Sequence, residues 1–237
     1  MSLNNTFVKT GTFLFRYRSI LPLIILVPVL ILVFIDSSDF FNGPKHWLLL
    51  CIMISSIGEL VRILTLCFVP KGTSGRNTKI QKAHNLNTTG LYSLVRHPLY
   101  IGNYFIWIGF ILYFYNFQFI LIITLLYILY YERIIFTEEN FLIDKFGNEY
   151  TQWSSRTPAV IPRFNNYIKP VNKFSFYKII VREYTSITAI IVGYCLLKCF
   201  ENLCLNKEDI IDESIIYIIL VTILLYFVAR FIKKSNY

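Results

Sequence analysis

The chain has 237 residues, 55% of them hydrophobic and only 16% charged, with a net charge of +9. Soluble domains carry about 25% charged residues, so this composition excludes a disordered chain and an ordinary soluble globule. It reads as an integral membrane protein, and loops facing anionic lipid account for the basic excess more simply than nucleic acid does.

A hydrocarbon core takes about 20 apolar residues per helix. The first predicted span covers residues 20–35, with Pro22 near its start and Pro28 inside. It follows Lys9, Arg16 and Arg18 and has no small-residue cleavage site, so it reads as a retained span and not a secretory signal. The second covers 47–69 and stops at Pro70. The third and fourth share the stretch 100–136, where Tyr115-Asn116-Phe117-Gln118 provides a polar break for a helical hairpin. The fifth covers 185–200 and the sixth 214–232.

With the N-terminus inside, Lys45, Lys198 and Lys207 face outward and Arg62 falls within a span; the remaining 19 of the 23 Lys and Arg lie on the inner side. This asymmetry predicts an all-α, multi-pass membrane helix bundle of about six transmembrane helices, with N- and C-termini cytoplasmic. No linker divides it, so residues 1–237 read as a single membrane domain. Its parts are two N-terminal spans (1–69), a core with the hairpin (70–164) and two further spans (165–237). The five cysteines lie in or just after apolar stretches and form no CxxC pair, so they read as packing residues, with no metal expected.

Two long segments, 71–98 and 137–184, fall on the inner face and hold most of the unusual polar residues. In the first, Gly90 permits a turn and Pro98 suits the first turn of the third span. Arg96 and His97 then sit at the membrane surface beside a helix start, an arrangement suited to a carboxylate or phosphate. Tyr92 and Tyr100 add aromatic walls. The alternative is interfacial anchoring, because Arg, His and Tyr all favour that depth. In the second segment, apolar residues at 134, 135, 141, 142 and 146 predict that the helix continues beyond the membrane. Glu138, one turn beyond Ile134, can point back to the bundle; Glu132, Glu139 and Lys145 read as a solvated face. Glu59 and Arg62 lie three apart inside the second span, either as functional groups or as a pair that fixes packing.

These residues resemble a known superfamily, the membrane methyltransferases related to isoprenylcysteine carboxyl methyltransferase and phospholipid methyltransferases. The resemblance rests on Thr89-Gly90-Leu91-Tyr92, on Arg96-His97-Pro98-Leu99-Tyr100-Ile101-Gly102, on Glu138-Glu139-Asn140-Phe141-Leu142 and on Phe146-Gly147-Asn148-Glu149-Tyr150, ending at Ile161-Pro162. It covers about residues 70–164. It implies a pocket on the cytoplasmic side holding S-adenosylmethionine as methyl donor, without a metal. It places the cofactor against His84, Asn85, Leu86 and Asn87, then Tyr92, then His97, Pro98, Leu99 and Tyr100, and finally Glu138. Arg96 and Glu138 are the residues expected to carry the reaction. The family's prenyl-protein members have an Arg four residues before the Glu; here that position is Ile134, with Arg133 beside it as the substrate-binding candidate. Trp153 stands where the family often has Tyr.

The expected activity is methyl transfer to a lipid or lipidated acceptor in the bilayer, with carboxylate or phosphate O-methylation favoured over amine N-methylation. The expected partners are that acceptor and the membrane. High Ile, Asn, Lys and Tyr hint at an AT-rich, bacterial source, which would place the protein in an inner membrane. Two rivals are an NADPH-dependent reductase of the sterol-reductase type and a transporter or scaffold. Leu99 and Thr137-Glu138-Glu139 depart from the reductase pattern. A transporter would concentrate polar residues at mid-membrane, where only Glu59 and Arg62 stand out.

Overall fold

The computed structural model describes residues 3–69, 81 and 83–235. Lys71, Arg76, Lys79 and Lys82, part of the expected inner charge, lie outside the described residues. The helices are α1 (Leu3–Arg16), α2 (Leu21–Ile35), α3 (Trp47–Phe68), α4 (Pro98–Leu112), α5 (Phe117–Phe146), α6 (Asn148–Ser154), α7 (Phe176–Cys204) and α8 (Glu213–Ser235). Short 3-10 turns occupy Ser37–Asp39, Gly90–Ser93 and Phe164–Asn166. No strand occurs among the described residues. The protein is an all-α, polytopic membrane bundle.

All six expected apolar stretches are helical, but they are not six equal crossings. Four helices, α3, α5, α7 and α8, have the length and hydropathy to cross a membrane, and α1 with α2 forms a pair bent by 79° that raises the count to five. Helices α2 and α4 have 15 residues each, about 22 Å at 1.5 Å per residue. Proline accounts for the length of α4. Pro98 occupies its first turn, and the chain before it is non-helical because a residue preceding Pro is pushed out of the α region. The Gly90–Ser93 turn then packs against α3.

Local chemistry ends the helices where the sequence suggests. The Asn116 side chain accepts a hydrogen bond from the Phe119 N–H at 3.0 Å and caps α5. The hairpin turn puts Tyr115 at a φ of 42°, a strained conformation for a side chain of that size. Gly147, at a φ of 52°, closes α5.

Small residues let α3 and α4 approach closely. Ser55 Oγ donates to the Ile106 carbonyl at 3.0 Å and meets the Tyr194 hydroxyl of α7 at 2.8 Å. Helix α7 also covers the end of α3. The Lys178 ammonium donates to the carbonyls of Cys67 and Val69, both at 3.1 Å, satisfying groups that a helix end leaves open. A Cβ on Gly58 would meet the Gly102 carbonyl oxygen at 2.5 Å and the Ile106 nitrogen at 2.7 Å. Backbone cannot rotate away, so Gly58→Val is expected to destabilise the bundle by about 1–3 kcal/mol. Thermal unfolding in detergent checks this, and an unchanged midpoint would contradict the close crossing.

Candidate active site

The site is built where a non-helical strap meets the start of α4 and the far end of α5. Residues 90–97 close only a short 3-10 turn of their own, so another segment must take most of their remaining polar backbone groups. The Pro-containing return after α6 does this. The Arg96 N–H donates to the Pro158 carbonyl at 2.9 Å, the His97 N–H to Ala159 at 3.3 Å, and the Arg163 N–H to Leu94 at 2.9 Å. The Gly90 N–H donates to the Ile168 carbonyl at 2.9 Å. The Trp153 indole N–H donates to the Tyr92 carbonyl at 3.2 Å. The sequence pattern marked Ile161-Pro162 as a motif end; the structure makes the stretch around that end the brace of the strap.

On this frame, Arg96, His97, Tyr100, Glu138 and Glu139 converge. His97 Nε2 lies 2.9 Å from Glu139 Oε1, and His97 Nδ1 lies 3.8 Å from Glu138 Oε2. Arg96 Nη1 is 3.3 Å from Glu139 Oε2. The Tyr100 hydroxyl donates to Glu138 Oε2 at 2.6 Å, and its ring stacks on His97 at 5.5 Å. Glu138 remains accessible, with 31% of its side chain exposed, whereas the His97 side chain is 5% exposed. The cluster therefore pairs two basic groups with two carboxylates and leaves Glu138 facing open space.

Two buried polar atoms of the site, Arg96 Nε and the Tyr150 hydroxyl oxygen, make no hydrogen bond of good geometry among the described residues, and their side chains act on each other. Both carry a proton that an acceptor could take. Burial, followed by the Glu139 carboxylate, pushes the Tyr150 hydroxyl above its usual range. Burial, and then the Glu138 charge, does the same for Tyr92. Both phenols thus stay protonated near neutral pH and keep a proton to donate.

The structure sorts the expected site residues. Arg96, His97, Pro98, Tyr100 and Glu138 come together, and Leu99 lies in the same first turn of α4. Tyr92 lies in the adjoining turn, close enough to feel Glu138. His84 and Asn85 are exposed and Leu86 and Asn87 half-buried, in the coil leading to that turn. Arg133 goes elsewhere: its guanidinium carbon sits 3.4 Å above the Phe7 ring, on the face of α5 that packs against α1. Glu139, expected on a solvated face, instead holds both Arg96 and His97. Its place on the helix wheel, beside the stripe of buried Tyr131 and Ile134 and half-buried Glu138, was compatible with either outcome.

Below this cluster a second one fills the interior. Arg62 reaches Glu183 Oε2 of α7 at 2.8 and 3.1 Å, lies 3.6 Å from Glu59, and donates to the Asn103 side chain. Ser186 donates to Glu59 at 2.7 Å. Glu183 is the partner that the local Glu59/Arg62 spacing could not reveal. Among the described residues, no group of three or more His, Cys, Asp or Glu gathers as a metal site would.

Known proteins bear on this geometry. The family description "Phospholipid methyltransferase" fits residues 45–149, from α3 through the start of α6. The chain is 38% identical over 86 residues to a protein-S-isoprenylcysteine O-methyltransferase of Schizosaccharomyces pombe, covering 36% of each chain. It is 30% identical over 145 residues to the protein of the same name from Tribolium castaneum, covering 56% of this chain and 49% of that one. It is also 36% identical over 87 residues to the cobalt-zinc-cadmium resistance protein CzcN of Cupriavidus metallidurans, covering 37% of this chain and 40% of that one. The matches thus span between about a third and a half of the length of these relatives. No solved structure matches the chain significantly. Both halves of the cluster, the strap before α4 and the Glu pair on α5, lie within residues 45–149, the stretch through which the chain is similar to the phospholipid and isoprenylcysteine methyltransferases.

Proposed function

We propose that this protein transfers a methyl group from S-adenosylmethionine to a lipid or lipidated acceptor held in the bilayer. The observation that carries the reading is the convergence, in one site, of the Arg96 guanidinium and His97 with a half-exposed Glu138 carboxylate. A zwitterionic ligand with a carboxylate and an ammonium at one end and ribose hydroxyls further along fits those groups. Arg96 would take the carboxylate, and Glu138 the ammonium or a hydroxyl. Tyr92 and the stacked His97–Tyr100 pair offer aromatic surface beside a sulfonium.

S-adenosylmethionine supplies an activated methyl group, so the protein's work is alignment and exclusion of water. Glu139 orients Arg96 and His97, and the Tyr100 hydroxyl orients Glu138. The strap's bonds to residues 158–168 hold the start of α4 in place. A carboxylate or phosphate acceptor is already anionic at neutral pH and needs no general base, whereas an amine needs one. The basic charge excess favours an anionic acceptor, so O-methylation is the preferred reading. The same excess supports a pocket and both termini on the cytoplasmic side.

The test uses the purified chain in detergent. Calorimetry is expected to detect binding of S-adenosylmethionine or its demethylated product, and much weaker binding of NADPH. Radiolabelled donor with a native lipid extract is expected to label a lipid or lipidated fraction. NADPH binding without donor binding would replace this reading with the reductase one.

A further inference from the structure

Residues 155–175 join α6 to α7 without an α-helix or a strand; the Phe164–Asn166 turn is the one regular element in the coil. A connection of this length inside a compact bundle is uncommon and usually functional. Part of it is the brace of the strap. The Ile168 N–H donates to Ser93 Oγ at 2.9 Å while its carbonyl accepts from the Gly90 N–H, so Ile168 grips the strap through both backbone groups. The remainder crosses to α3. The Asn172 side chain donates to the Phe68 carbonyl at 2.9 Å, and the Phe174 ring meets the Phe68 ring at 5.7 Å. The segment therefore lies over the adjoining ends of α3, α4 and α7. Helices α3 and α7 have the length and hydropathy of membrane crossings, so the level at which they end is the membrane surface.

The backbone of this segment holds the strap, and its side chains turn outward. Ile161 is 81% exposed, Phe164 74% and Val171 84%. Cations are set among the apolar residues: Arg163 beside Phe164, Lys169 beside Ile168 and Lys173 beside Phe174, all three exposed. No Asp or Glu occurs between Glu149 and Glu183. An exposed apolar patch marks a contact with a protein or with a membrane. Here depth and charge select the membrane. The segment sits where two spans end, and a surface of apolar side chains and cations without a carboxylate is what the headgroup boundary of an anionic leaflet accepts.

We propose that residues 156–174 form an interfacial binding surface for anionic phospholipid, with Ile161, Phe164 and Val171 seated at the headgroup boundary and Arg163, Lys169 and Lys173 on the negative headgroups, so that lipid holds the brace against the strap. Arg163 joins the two roles: its side chain is exposed, while its backbone N–H donates to the Leu94 carbonyl at 2.9 Å. The same brace carries the Pro158 and Ala159 carbonyls that take the N–H groups of Arg96 and His97. Membrane charge thereby reaches the candidate site through printed-length backbone bonds of one continuous segment. Any effect of this lipid on methyl transfer rests on the proposed function; the lipid binding and its hold on the strap do not.

The experiment follows amide hydrogen exchange by mass spectrometry on the full chain in nanodiscs of phosphatidylcholine alone, or of equal parts phosphatidylcholine and phosphatidylglycerol. The expected result in the anionic discs is exchange slowed at least tenfold in residues 90–97 and 158–168. A cation near an anionic surface contributes a factor of about five. Lys169→Gln should therefore remove about that much of the slowing, and Arg163→Gln, Lys169→Gln and Lys173→Gln together should abolish it. Lys145→Gln, an equal charge change on the exposed end of α5, should leave it unchanged. Equal exchange of the parent in the two discs, as a surface for a protein partner would give, would overturn the proposal. So would a triple variant that keeps the slowing, or a loss in Lys145→Gln as large as in Lys169→Gln. If the triple variant also exchanges faster throughout α3 and α7, it is misfolded, and the Lys169→Gln and Lys145→Gln pair decides. Donor calorimetry runs in parallel on the parent. Absent donor binding with the lipid effect intact would defeat the methyl-transfer reading and leave this surface standing.

Discussion

Arg96→Lys is expected to raise the donor concentration for half-maximal methylation about tenfold or more. Lys reaches the interface as well as Arg does, so a mere anchor would tolerate the change. It lacks the fork through which Arg96 meets Glu139 at 3.3 Å while presenting its buried Nε–H elsewhere. Loss of a charge-assisted hydrogen bond is worth about 1.5–3 kcal/mol, which sets the expected factor. Glu138→Gln is expected to impair the same step. The amide keeps the size of the side chain and an acceptor for the Tyr100 hydroxyl, but removes the charge that would meet an ammonium. Lys145→Ala is the control and should change little, being exposed at the end of α5. The measurement is methylation against donor concentration for each variant in one detergent. If Arg96→Lys and Glu138→Gln both match the parent, these residues only shape the fold and the site lies elsewhere.

Arg62→Met is expected to produce the largest loss of stability, about 3–5 kcal/mol. Arg62 is the cation between two buried carboxylates, 2.8 Å from Glu183 and 3.6 Å from Glu59, and it also holds Asn103. Removing it strands both carboxylates among three helices, and among the described residues one oxygen of Glu59 already makes no hydrogen bond. A loss of that size lowers the unfolding midpoint by on the order of 10 °C in a chain of this length. Replacing Glu59, Arg62 and Glu183 together by apolar residues of similar volume should cost far less, since no buried charge is left unpaired. Thermal unfolding of both variants in the same detergent separates the cases. Equal midpoints for the single and triple variants would mean that burial of unpaired charge is not what the cluster guards against.

The sequence by itself determined that this is a helical membrane protein, where its apolar helices lie and which motif residues are candidates. Length and hydropathy decide those matters locally: α3 ends before Pro70, α4 begins at Pro98, and Asn116 caps α5 after the hairpin break. The grouping of Arg96, His97 and Tyr100 with Glu138 was legible through family resemblance, because both motifs are short and contiguous. Tertiary structure alone decided the partners. Glu139 turns inward to His97, Arg133 turns away to Phe7, and Glu183 joins Arg62 across 121 residues. It also decided that residues 3–16 form a helix on α5 and that the strap before α4 is braced by residues 158–168. The physical reason is that hydropathy tells which side chains avoid water, while the rotation of one helix against another is set by close packing. Near the membrane surface a charged side chain can face solvent or a partner at similar cost, and contacts such as Gly11 on α5 and Gly58 on α4 decide which it meets.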